Sequence, residues 1–214
     1  MIRDEAYAEE RKRLVERVRV TANIRDERVL AALRAVPRHR FVPESQVPFA
    51  YEDRALPLAE QQTVSQPSMI AIMLEALRCK ATDHALEVGA GSGYAAALLA
   101  ELVAKVDAVE IRPALAEHAA ATLASLEIQN VFIHTGDGGR GLPGRGPFDK
   151  ILVSAGASSI PHTLVEQLAK GGRIAIPVGD EVGQTLLVGE RAADGRISWE
   201  PGVPCMFVPL VAPN

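Results

Sequence analysis

The stretch LEVGAGSGYAAALLAEL, residues 86–102, decides the fold. An apolar strand ends at Val88, glycines follow at positions 89, 91 and 93, and the run rich in alanine and leucine that comes next has the composition of a helix. Strand, glycine turn and helix in that order place a tight turn over the carboxyl end of a sheet. Glycine there permits positive φ and close backbone approach, and the free N–H groups of the helix start face polar atoms of a ligand. The dinucleotide fingerprint G-x-G-x-x-G needs its third glycine one place later than Gly93. The motif G-x-G-x-G preceded by Glu87 therefore suits S-adenosylmethionine, which has no phosphate, better than a diphosphate cofactor.

Downstream residues extend the site. Glu110 closes the run KVDAVE 21 residues after Gly89, where a carboxylate can accept hydrogen bonds from both ribose hydroxyls. After NVFIH comes GDGGRG, placing Asp137 and Gly138 at a third strand end, within reach of an adenine amino group. HALEV, KVDAVE, NVFIH and FDKILVS are short apolar runs separated by helix-like segments. They predict strands buried on both faces and joined by right-handed crossovers, hence an α/β, doubly wound, mostly parallel Rossmann-like sheet. Three more strands are expected at 172–178, 184–190 and 205–210. The joins GDEVG and RAADGRIS suit hairpins, so the sheet should end with antiparallel strands.

Upstream, Pro67 opens a helix to about Arg78, with Met69, Ile70, Met73, Leu74 and Leu77 at helical spacing. Two amphipathic helices are predicted at about 4–20 and 26–35, and Pro37 and Pro43 then bracket an irregular segment running to about Leu58. The chain thus divides into an N-terminal helical extension and loop, 1–66, and a cofactor-binding domain, 67–214, forming one compact unit. The polar run EQQTVS before Pro67 exceeds what a helix start requires. Ser65 or Gln66 ends the loop and suits a helix cap.

Composition bounds the function. At 214 residues and 48% hydrophobic, the chain can bury one domain. No apolar run approaches the ~20 residues needed to span a bilayer, and MIRDEAYAEERKRL has no secretory character, so no membrane partner and a cytoplasmic location are expected. A net charge of −4 gives no footprint for nucleic acid, although residues 1–40 carry 11 Lys and Arg against 7 Asp and Glu. Cys79, Cys205 and five scattered histidines show no metal-binding spacing, and neither a GxSxG nucleophile nor a phosphate-binding lysine loop is present.

From about Arg28 to Leu210 the motifs RHRFVP, YEDRALPL, QTVSQPSMIA, LEVGAGSGYAAALLA, NVFIHTGDGGRG, PFDKILVSAGA and FVPL follow in an order that resembles the protein-L-isoaspartate O-methyltransferases. The resemblance implies an S-adenosyl-L-methionine-dependent carboxyl O-methyltransferase that acts on isoaspartyl-containing proteins and peptides and releases S-adenosyl-L-homocysteine. It further implies catalytic roles for Ser65 and Thr63, cofactor contacts from Glu87, Gly89, Gly91, Gly93, Glu110, Asp137 and Gly138, and a contact near the cofactor's methionine end from Gln184. A monomer without metal is expected. Where the family usually carries two loop glycines, this chain has Ala59 and Gln61, and a positive φ at Ala59 would be costly. A methyltransferase of this fold with another acceptor, or a cofactor-binding interaction protein, is also compatible with the residues.

Overall fold

The computed structural model describes residues 7–212. The elements are α1 (Ala8–Thr21), α2 (Glu27–Ala35), β1 (Leu56–Pro57), β2 (Thr63–Val64), α3 (Pro67–Leu77), β3 (His84–Val88), α4 (Tyr94–Ala100), β4 (Lys105–Glu110), α5 (Pro113–Ser125), β5 (Val131–Thr135), β6 (Phe148–Val153), α6 (His162–Gln167), β7 (Leu168–Gly179), β8 (Gln184–Arg191) and β9 (Ile197–Cys205). The first helix was expected from Asp4; residues 4–6 lie outside the described residues.

One seven-stranded sheet has the order β5-β4-β3-β6-β7-β8-β9. The strands from β5 to β7 are parallel, and β8 and β9 pair antiparallel, as the short joins predict. Strand order reverses between β3 and β6. Crevices open at such switch points, outside the carboxyl ends of the strands, and both the glycine turn after β3 and the end of β6 lie there. The crossover from β5 to β6 contains only a single 3-10 turn, Gly138–Arg140, where six glycines and two prolines from Gly136 to Pro147 oppose a longer helix.

The sheet is buried on both faces. On one side Leu14, Val18, Leu30 and Leu33 of the first two helices join Ile70, Leu74, Leu98 and Val106 in a single apolar cluster, and on the other Leu86, Val109, Phe148, Ile151, Leu164 and Ile174 form a second. The N-terminal helices therefore share a core with α3, α4 and the sheet.

Two sequence expectations are corrected. The last strand is Ile197–Cys205, not 205–210, even though it holds Pro201, Gly202 and Pro204. β9 tolerates them because it is an edge strand, where one row of N–H groups has no ladder partner to lose. Residues 206–210 are irregular, with one parallel bridge from Pro209 to Gly156. Ala59 does not have positive φ; Glu60 (φ 56) and Gln61 (φ 59) do, and they turn the β1–β2 hairpin.

Candidate active site

At the turn after β3, Gly89, Gly91 and Gly93 have φ of 86, 53 and 85, in the left-handed region that side chains disfavour. The amides of Gly89 and Ala90 donate to the Val109 carbonyl at 2.8 and 3.2 Å, which ties the turn to β4. Glu110, at the end of β4, is 6% exposed; its Oε2 accepts from the Gly91 amide at 2.8 Å and its Oε1 from the Arg112 amide at 3.0 Å. Each oxygen retains a lone pair for a ligand. Gly138 completes this wall: a Cβ there would stand 2.5 Å from Val88 Cγ1. Asp137 does not line the cavity; its Oδ1 accepts from the Gly139 amide at 2.9 Å and shapes the turn that presents Gly138.

Glu87 lies one residue before the end of β3 and is fully buried. The Ser154 hydroxyl donates to its Oε1 at 2.9 Å, and Oε2 has no partner among the described residues. Burial pushes the carboxyl pKa up to about 8, against the Ser154 hydrogen bond and with the Glu110 charge adding to the rise. Glu87 is thus mostly protonated near neutral pH. A second cavity adjoins the first and is lined by Thr63, Ser65, Glu87, Ser92, Tyr94 and Ser154.

Thr63 and Ser65 reach that cavity on the β1–β2 hairpin. Within its turn the Leu58 amide donates to the Gln62 carbonyl at 2.8 Å, and a 3.1 Å ion pair joins Glu60 to Arg112, just beyond Glu110. Ser65 caps nothing. The cap position of α3 is Gln66, without a side-chain hydrogen bond, Pro67 opens the helix, and the Asp53 carboxylate accepts the Ser68 amide at 2.9 Å.

The hairpin is held from below by Arg38, which is fully buried. Its guanidinium donates to the carbonyls of Ala50 (2.7 Å), Glu52 (3.3 Å), Arg54 (3.0 Å), Val64 (3.5 Å) and Ser65 (3.1 Å). No carboxylate pairs with it in these bonds. Nη1 and Nη2 serve all five carbonyls, and Nε is buried without a hydrogen-bond partner among the described residues; the planar fork spreads its donors in a way an ammonium cannot.

Gln184 contributes from a distance. Its Oε1 accepts from the Phe207 amide at 2.8 Å and its Nε2 donates to the Phe207 carbonyl at 3.0 Å, so the side chain anchors the C-terminal segment. The Gly156 amide bonds the Val208 carbonyl at 2.8 Å and the Leu210 amide returns to the Gly156 carbonyl at 2.7 Å, which lays Val208, Pro209 and Leu210 along the first cavity. Gln184 itself lines a separate, neighbouring cavity.

The structure thus brings Thr63, Ser65, Glu87, Gly89, Gly91, Glu110 and Gly138 to two adjoining cavities and leaves Gly93, Asp137 and Gln184 in supporting positions. Sequence reasoning missed Ser154, Arg112, Arg38 and Val208–Leu210 as contributors. Ser154 carried a signal in its place at the carboxyl end of a predicted strand, and Arg38 and Val208–Leu210 fall in the motifs RHRFVP and FVPL, where no residue pattern gave them a role. Among the described residues no group of three potential ligands could hold a metal ion.

A profile of the protein-L-isoaspartate(D-aspartate) O-methyltransferases matches residues 9–214. A protein-L-isoaspartate O-methyltransferase of Roseiflexus sp. (strain RS-1) is 51% identical over 96% of this chain and 93% of its own length. One of Trichlorobacter lovleyi is 50% identical over 94% and 93%. A solved protein-L-isoaspartate O-methyltransferase superposes with a TM-score of 0.84 at 28% identity, covering 93% of this chain; the chain spans less than two thirds, 65%, of that structure. A putative protein-L-isoaspartate O-methyltransferase of Plasmodium falciparum, in complex with S-adenosyl-L-homocysteine, superposes with a TM-score of 0.82 at 25% identity, covering 94% of this chain and 98% of that one.

Proposed function

The chain belongs to the protein-L-isoaspartate(D-aspartate) O-methyltransferase family, and from that premise we propose how its own residues serve the reaction. It transfers a methyl group from S-adenosyl-L-methionine to the free carboxylate of L-isoaspartyl residues in damaged proteins, the first step of their repair. The residues present fit that cofactor. Glu110 retains lone pairs and lines the first cavity with Gly89, Gly91 and Gly138, and Glu87 Oε2 is buried without a partner beside the glycine turn. When bound, S-adenosyl-L-methionine supplies an electrophilic methyl group on a sulfonium centre.

Glu110, Gly89, Gly91 and Gly138 hold the adenosine part, with Gly93 and Asp137 fixing the turns that present them. Glu87 and Ser154 face the other end. Thr63 and Ser65 orient the acceptor carboxylate by hydrogen bonding and form no covalent intermediate. An isoaspartyl carboxyl of pKa about 4 is already ionised at neutral pH, so no strong base is required. Alignment and exclusion of water by the hairpin and by Val208–Leu210 supply the acceleration, effects that can reach several kcal/mol. The observation that carries this assignment is the convergence of Thr63 and Ser65 with Glu87 and Ser154 on one cavity. Gln61 supports it, since it keeps the left-handed backbone that glycine would adopt freely.

The segment through Gln66 serves as the substrate-facing part and residues from Pro67 as the cofactor-binding part. Among the described residues no helix is long and apolar enough to cross a membrane, and the net charge is −4. A cytoplasmic monomer without affinity for nucleic acid accords with both. The test is incubation with radiolabelled S-adenosyl-L-methionine and paired peptides carrying Asp or isoaspartate at one position. Base-labile label on the isoaspartyl peptide alone is expected; label on neither, in a protein that binds the cofactor, would refute the assignment.

A further inference from the structure

Beside the cofactor cavity, at the same end of the sheet, lies a larger one of about 430 Å³. That volume lies in the range of roughly 300–1,000 Å³ usual for ligand sites. Pro209 and Leu210 form a wall common to both cavities, and Gly156 of the larger one follows Ala155 of the cofactor cavity in the chain. Met206, Phe207 and Leu210 give the larger cavity an apolar side. Its rim is the β7–β8 turn, with Asp180 and Glu181 and no lysine or arginine in the lining. Asp180 Oδ1 accepts the amides of Val182 and Gly183 at 2.8 and 3.2 Å, which fixes the turn, whereas no hydrogen bond or ion pair engages Glu181 among the described residues.

Exposed large apolar side chains gather here as well. Val182, in this turn, is 92% exposed, and Met206, in the cavity wall, 60%; Val203 near the end of β9 is 38% exposed, and Val211, which lines the cofactor cavity, 42%. Single exposed apolar residues need no explanation; several of them beside a cavity mark a contact surface. An apolar side with a negatively charged rim is complementary to one kind of side chain in particular. Lysine and arginine bury an aliphatic stem and leave a cationic head at the edge.

We propose that this cavity is a subsite for residues flanking the isoaspartate, and that Asp180 and Glu181 make it select stretches bearing lysine or arginine over stretches bearing glutamate or aspartate. The inference rests on the isoaspartyl assignment above. A protein acceptor has chain running away from its reacting carboxylate on both sides, and the wall at Pro209 and Leu210 lies between this rim and the cofactor cavity, which Thr63 and Ser154 also line. The rim is exposed, so the effect should be modest and sensitive to salt.

The full-length enzyme would be assayed with S-adenosyl-L-methionine and isoaspartyl peptides in which lysine or glutamate is placed in turn at each of three positions on either side. At one or more positions on one side, the lysine peptide should exceed its glutamate counterpart by about fivefold or more in kcat/KM, chiefly through KM. The preference should shrink at high salt. Glu181→Gln should narrow the difference and Glu181→Lys should invert it; Glu181 makes no fold contact whose loss would confuse the result. Equal rates for every lysine and glutamate pair, or a preference unchanged in both variants, would overturn the subsite while leaving the isoaspartyl assignment intact. Absence of methylation on every isoaspartyl peptide would overturn that assignment and the subsite with it.

Discussion

Replacing Glu87 by glutamine should exchange a pH-dependent penalty for a constant one. A buried carboxyl raised from 4.5 to about 8 holds, between those values, a proton that the unfolded chain has released. The folded state then binds more protons than the unfolded, so stability falls as pH rises through that window and levels off above about pH 8. At roughly 1.4 kcal/mol per unit, the wild-type protein should lose about 3–4 kcal/mol between pH 5 and pH 8 through this one group. Glutamine cannot ionise, and its Oε1 can still accept from the Ser154 hydroxyl. Its amide nitrogen, however, would take the place of the unpartnered Oε2 and bring N–H groups without acceptors, a constant cost of about 1–3 kcal/mol. Glu87→Gln should therefore be the less stable protein near pH 5 and the more stable near pH 8. Urea denaturation of both proteins at pH 5, 6.5 and 8, at constant ionic strength and without cofactor, reads this directly. Parallel stability profiles, with no narrowing of the gap as pH rises, would show that Glu87 is ionised in the native state and refute the reasoning.

Ser65→Ala should lower kcat/KM for an isoaspartyl peptide at least about tenfold while affinity for S-adenosyl-L-homocysteine, measured by calorimetry, stays within about twofold. Because the hydroxyl caps no helix, stability should change by less than about 0.5 kcal/mol; turnover at the wild-type rate would remove Ser65 from the chemistry. Arg38→Lys should destabilise the fold by about 2–4 kcal/mol, since an ammonium has three donors for a set of five carbonyls, and should hasten proteolytic cleavage within residues 50–65. Cleavage at the wild-type rate would count against its role as an anchor. Gln61→Gly should raise stability by up to about 1 kcal/mol by relieving the left-handed backbone, and an unchanged melting temperature would mean that no strain is stored there.

What was legible in the sequence follows from the range of the forces involved. The glycines at 89, 91 and 93 announce themselves because positive φ leaves few alternatives, and Glu110 because strand length and crossover length set its distance from them. β9 was misplaced for the converse reason: Pro201, Gly202 and Pro204 argue locally against a strand, and only its position at the sheet edge makes them tolerable. Asp137 was identified through its residue type, but it is Gly138 beside it that lines the first cavity, packed too close to Val88 for any side chain. Gln184 was read as a contact when its amide is committed to Phe207, a partner 23 residues away that no local pattern reveals. Arg38 sits in a stretch between Pro37 and Pro43 that reads as irregular, with nothing local to mark its burial. Its burial depends on where the chain from Ala50 to Ser65 passes.

That passage has a consequence for how the hairpin can evolve. Arg38 grips only main-chain oxygens, which every residue supplies alike, so the bonds specify the path of the chain without specifying its side chains. Mutations between Ala50 and Ser65 are then free to alter what faces the substrate without releasing the anchor. With Ala59 and Gln61 in its turn, the hairpin still presents Thr63 and Ser65 to the cavity, as an anchor on the main chain allows. Single substitutions in the turn should therefore leave the path of the chain intact, whereas a change at Arg38 would have to be matched along the whole segment at once.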